Sequence, residues 1–141
     1  MAVALGVDQA SKAIARASLE PGEKVNVFFG IDLTNVENEG VAFGFLSEGG
    51  PLVWTLTLLA LTALVGYFAR RADVPWLWLP AGAVLGGALS NLLDRAREGA
   101  VFDFIDPSFW PAFNLADAQI VLGVLGLLYV VERFGKGEAA A

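Results

Sequence analysis

Residues 91–117 read NLLDRAREGAVFDFIDPSFWPAFNLAD, and the fold turns on why four aspartates, Asp94, Asp103, Asp106 and Asp117, stand between two strongly apolar segments. Ionised carboxylates beside hydrocarbon are costly, so residues placed there tend to be paired, functional or both. Upstream, Pro75 to Leu93 carries no charge; downstream, Leu115 to Val131 is broken only by Asp117. A third uncharged run covers Pro51 to Ala69. At about 1.5 Å of rise per residue each run spans roughly 26 to 29 Å as a helix, close to the thickness of a bilayer's hydrocarbon. Three membrane-spanning helices are expected.

The composition agrees. The chain has 141 residues, 56% of them hydrophobic, with a mean hydropathy of +0.61 and a net charge of -6. A soluble domain of this size holds fewer apolar residues. Cysteine and histidine are both absent, which removes Ser-His-Asp triads, Cys-His dyads and Cys/His zinc sites. No cofactor or metal is expected. Nothing reads as a basic nucleic-acid surface or a cleavable signal peptide.

From the start of the chain, residues 1–17 suggest a helix in which only Met1 to Val7 are apolar before Asp8. A full span needs about 20 residues, so this helix reads as short, as if truncated upstream. Asp8 and Lys12 are four apart with the acid first, the favourable order for a helical ion pair. Glu20-Pro21-Gly22-Glu23 signals a turn. Val25, Val27, Phe29, Ile31 and Leu33 then alternate with more polar neighbours, the period of a strand, and Gly30 is a candidate bend. Residues 18–50 are therefore expected to hold one or two short strands on the membrane surface, followed by a glycine-bracketed loop, Asn38 to Gly44. The helices at 51–69 and 75–93 share a very short connection and must be antiparallel neighbours. Gly82 and Gly86 have the spacing that lets helix backbones pack closely in lipid. Residues 94–114 read as a loop, and 115–133 as the last helix, with Asn114 as its N-cap and Asp117 at the third position. Arg70, Arg71 and Arg133 abut helix ends and assign that face to the cytoplasm, which puts the aspartate stretch on the outer face.

With His and Cys missing, the hydrolytic option left is a pair of carboxylates sharing a proton. Asp103 and Asp117 are the best candidates, because both follow apolar residues and flank a loop short enough to fold back. Asp94 stands next to Arg95, which would compensate it, and Asp106 precedes Pro107 in an expected loop. A Ser-Lys peptidase using Ser11 or Ser90 with Lys12 is a poorer alternative. A cation-binding transporter subunit is another, although its acids would be spread through the spans.

Five blocks carry a resemblance over nearly the whole chain: DQASK at 8–12, NEGVAFG at 38–44, GGALSNLLDR at 86–95, VFDF at 101–104 and FNLAD at 113–117. In this order they resemble the lipoprotein signal peptidases, the signal peptidase II family of bacterial inner-membrane aspartic peptidases. The resemblance implies a four-transmembrane-helix bundle with a small extracytoplasmic β-platform, Asp103 and Asp117 as the catalytic dyad, and Asp8, Lys12, Asn38, Asn91, Asp94, Arg95 and Asn114 as supporting polar residues. It further implies a monomer in the bacterial cell membrane that contacts lipid and cleaves diacylglyceryl-modified prolipoproteins before the modified cysteine, and that is sensitive to globomycin. Ser90 departs from the pattern, standing where the family commonly has glycine, and so does the short first helix.

Overall fold

The computed structural model describes residues 1–38 and 50–134. Most of the expected loop at 38–44 and the tail after Phe134 lie outside them. The elements in order are α1 (Ala2–Ser18), β1 (Lys24–Phe28), β2 (Ile31–Asn38), α2 (Gly50–Arg70), α3 (Trp78–Glu98), β3 (Val101–Pro107) and α4 (Leu115–Phe134).

The helices are apolar outward. On α1 the buried positions are Asp8, Lys12 and Ala15, spaced by four and three along one face, while Val3, Val7 and Ile14 are exposed. On α4, Val121, Leu122, Leu125, Leu128 and Tyr129 are all more than half exposed. A surface of this kind suits an apolar solvent, the reverse of an amphipathic helix in water. Among the described residues, α4 is the helix long and apolar enough to cross a membrane.

α1, α3 and α4 pack against one another, and α2 packs only against α3 among the described elements. Small residues set the distances. A Cβ on Gly86 would lie 2.6 Å from Ala4 Cβ, and one on Gly87 would lie 2.5 Å from the Ala116 carbonyl oxygen. Both are closer than any side chain tolerates, so these glycines let α3 meet α1 on one side and the start of α4 on the other.

The sheet is antiparallel in the order β1-β2-β3. Gly30, at φ 73°, makes the bend between β1 and β2, as the alternating pattern suggested. The third strand was not expected. Val101 to Pro107 fell in the presumed loop because β3 is buried along almost its whole length, and a strand covered on both faces shows no alternation. α3 also continues past Leu93 to Glu98, so Asp94 and Arg95 are helical. Gly99, in the left-handed conformation at φ 80°, ends it and returns its N–H to Arg95 O. Asp106 likewise belongs to a strand, where its carboxylate pairs with Lys24.

The sheet rests on the end of α1. Phe102 and Phe104 stack at 6.0 Å and pack with Ala15 and Leu19, with Leu33, Ile105 and Leu115 around them. Arg16 lies 4.6 Å above the Phe102 ring and pairs with Glu98 of α3. Phe102 and Phe104 point to one side of β3, so Asp103 points to the other.

Gly87→Ala is expected to push α4 away from α3 and destabilise the fold by about 1–3 kcal/mol. Thermal unfolding in detergent measures this; an unchanged midpoint would show that the close approach is not required.

Candidate active site

Two carboxylates from different elements meet at Asn114, just ahead of α4. Asp103, in mid-strand and only 2% exposed, accepts hydrogen bonds from Asn114 Nδ2 at 2.7 Å on Oδ1 and from Asn38 Nδ2 at 2.9 Å on Oδ2. Asn114 Oδ1 accepts the backbone N–H of Asp117 at 3.0 Å, and the Asn114 N–H reaches back to Asp117 Oδ2 at 3.3 Å. This reciprocal pair is a capping box with Asp in the third position. The structural role foreseen for Asp117 is thus present, and its other oxygen accepts a hydrogen bond from Asn91 Nδ2 at 2.8 Å.

Burial is the largest influence on Asp103 and pushes its carboxyl up from 3.8 to about 6. The nearby Asp117 raises it further, while the hydrogen bonds from Asn38 and Asn114 and the charge of Lys12 oppose the rise. A raised folded-state value means that the unfolded chain releases this proton first. The contribution to stability is therefore present below 3.8 and is lost as pH rises to about 6.

Behind the pair lies a buried ionic cluster. Lys12 Nζ sits 2.7 Å from Asp8 Oδ2, 2.6 Å from Asp94 Oδ2 and 2.9 Å from Asn91 Oδ1. Asp94 is therefore neutralised by Lys12 of α1. The adjacent Arg95 makes no ion pair with Asp94 among the described residues, because consecutive helical residues point to different faces. Arg95 instead lies within electrostatic reach of Asp117, Asp103 and Asp94. The other Asp8 oxygen, Oδ1, accepts the Ala116 N–H at 2.7 Å, which ties α1 to the first turn of α4. Asn114 Nδ2 also reaches Asn91 Oδ1 at 3.2 Å and joins the two layers.

All nine residues singled out from the sequence fall in this one region. Gln9, not singled out in the sequence, and Ser90, weighed there as a nucleophile, join them: Gln9 Nε2 bridges Ser90 Oγ at 2.9 Å and Asp94 Oδ1 at 2.7 Å, and Ser90 Oγ donates to Asp8 Oδ2 at 2.7 Å. A polar Ser90 directly before Asn91, at the end of an apolar run, was the available signal. The Ser-Lys alternative has no geometry behind it. Ser11 donates to the Asp8 backbone carbonyl, and Lys12 is engaged by two carboxylates and so is not poised as a base.

An apolar groove of about 420 Å³ opens beside Asp117, lined by Trp110, Phe113, Ala118, Val121 and Leu122. A larger cavity of about 720 Å³ lies among Arg16, Glu20, Asn35 and Glu98, away from the carboxylate pair. The groove is the better match for an apolar ligand.

A sequence model of the family described as signal peptidase (SPase) II matches residues 1–132. The chain belongs to the signal peptidase II family. It is 44% identical to a lipoprotein signal peptidase of Syntrophomonas wolfei, over 94% of this chain and 89% of the relative. To the lipoprotein signal peptidase of Pelotomaculum thermopropionicum it is 43% identical, over 93% and 88% of the two chains. Its fold is similar to that of a bacterial membrane enzyme solved by the in meso method at 1.9 Å resolution, with a TM-score of 0.82, 29% identity and coverage of 92% of this chain and 88% of the other. A second such structure, at 2.3 Å, gives a TM-score of 0.83 at 27% identity, covering 99% and 89%. Signal peptidase II is a peptidase family of the membrane, which favours the hydrolytic reading over a transporter subunit.

Lys12→Met would leave Asp8 and Asp94 buried beside each other without their cation. A loss of about 3–5 kcal/mol is expected, as for other broken buried pairs. Unfolding of the detergent-solubilised protein would reveal it, and wild-type stability would contradict the central role given to Lys12.

Proposed function

We propose that this signal peptidase II protein is a membrane aspartic endopeptidase that removes the signal peptide from diacylglyceryl-modified prolipoproteins, with Asp103 and Asp117 as the reacting pair. The observation that carries this reading is that Asn114 joins two carboxylates, one from a strand and one from a helix start, beside an apolar groove. The ionised member takes a proton from water as the water oxygen attacks the scissile carbonyl, while the protonated member donates a hydrogen bond to the carbonyl oxygen. Collapse of the tetrahedral intermediate breaks the C–N bond as a carboxyl proton passes to the leaving nitrogen.

Asp8, Lys12, Asn91 and Asp94 hold α1, α3 and α4 in register, and Asn38, Asn91 and Asn114 orient the two carboxylates. Arg95 supplies a nearby positive charge. The chain is a single multi-pass unit of the bacterial inner membrane and acts as a monomer. Its four helices cross or enter the bilayer, and its sheet and carboxylates lie at the outer face. The apolar exteriors of α1 and α4 and the positions of Arg70, Arg71 and Arg133 support this arrangement. Membership of the family supports contact with membrane lipids and inhibition by globomycin as part of this proposal.

Asp103→Asn and Asp117→Asn are each expected to slow cleavage of a lipid-modified precursor by about 10²- to 10⁴-fold, with the protein still inserted. Near-normal turnover in either variant would rule out the dyad, and cleavage unaffected by globomycin would count against the family pharmacology.

The pH dependence is a separate test. The pair needs one proton, and Asp103 retains its proton up to about 6. The wild-type kcat/KM should therefore fall on the alkaline side with an apparent pKa near 6 that belongs to the pair. A profile that rises through that range would contradict the assignment.

A further inference from the structure

Ser90 is fully buried on α3, one residue before Asn91, and its two hydrogen bonds play no part in the chemistry above. A hydroxyl has one proton to give. Here it goes to Asp8 Oδ2 at 2.7 Å, and the oxygen accepts from Gln9 Nε2 at 2.9 Å. The same Gln9 nitrogen bonds Asp94 Oδ1 at 2.7 Å, so a closed set of side chains fixes the Asp8 carboxylate from the α3 side.

What that carboxylate does with its other oxygen gives Ser90 its importance. Asp8 Oδ1 accepts the Ala116 N–H at 2.7 Å. Ala116 is in the first turn of α4, where backbone N–H groups have no partner within the helix. It directly precedes Asp117, and its carbonyl oxygen is held against Gly87 of α3. One peptide segment beside the candidate dyad is thus bonded to α1 at its N–H and lies close against α3 at its carbonyl.

We propose that Ser90 is a positioning residue for the carboxylate pair. Its hydroxyl fixes the direction in which Asp8 presents Oδ1 to α4, and so sets Asp117 against Asn91 and Asn114. Lys12 cannot supply that direction. It neutralises the same Asp8 oxygen from 2.7 Å, but an ammonium is a point charge on a flexible stem, whereas a hydrogen bond from a short, buried side chain is directional. Removing the hydroxyl keeps the charge balance and the packing and loosens only the aim.

This inference rests on the reading of Asp103 and Asp117 as the reacting pair, and its test includes a readout that needs no turnover. In the full-length protein, Ser90→Ala removes the hydroxyl and keeps the Cβ. The control is Ser11→Ala, which deletes a hydroxyl bound to the Asp8 backbone rather than to its carboxylate. For Ser90→Ala, kcat on a lipidated precursor should fall about tenfold with KM within about twofold, as for loss of a hydrogen bond to a charged group. Amide exchange at Ala116 should quicken by about tenfold for the same reason. Ser11→Ala should match wild type in both. Unchanged Ala116 exchange in Ser90→Ala would overturn the proposal, as would equal losses in the two variants. If Ala116 exchange responds but the wild-type protein cleaves no lipidated precursor, the peptidase reading fails and the positioning role stands.

Discussion

The Lys12 ammonium is the point on which the structure depends. It lies on α1, within 2.9 Å of oxygens from Asp8 on its own helix and from Asp94 and Asn91 on α3, and it is almost completely buried. Two ionised carboxylates can share such an interior only with a cation between them. That requirement fixes the level at which α1 crosses α3. A buried ionic cluster of this kind adds little net stability, but it discriminates strongly among helix registers, because sliding α1 by one turn would leave charges unpaired. Apolar packing against lipid offers no such discrimination, since lipid tails are as apolar as leucine.

From that level the site is assembled outward by amides. Asn91 connects Lys12 to Asp117, and Asn114 connects Asn91 to Asp103. Each asparagine can donate and accept at once, so it relays orientation from an ionic cluster to the carboxylate pair without adding charge. The two aspartates arrive by unrelated routes. Asp103 is placed by strand pairing, opposite Val36 of β2, and Asp117 by the turn that starts α4. Their separation is therefore set by how the sheet sits on α1, through Phe102 and Phe104 against Ala15 and Leu19.

Much of this was legible in the sequence. Uncharged runs identified α2, α3 and α4, period-two alternation identified β1 and β2, and the lack of His and Cys narrowed the chemistry to carboxylates. The nine polar residues indicated by the family blocks all reach one region. Other features were hidden for physical reasons. β3 carries hydrophobic residues toward both faces and so has no strand period. The partner of Asp94 is 82 positions away in the chain, as only tertiary packing can bring about, and the neighbouring Arg95 looked like the answer. Ser90 was read as one small residue in place of another, because nothing local reveals that its hydroxyl meets a carboxylate from α1.

Among the described elements α2 packs against α3, while side-chain and backbone bonds from Asp8, Lys12 and Gln119 tie α1, α3 and α4 to one another. Directional bonds therefore join α1, α3 and α4 into one unit, in which a single substitution is felt across three helices.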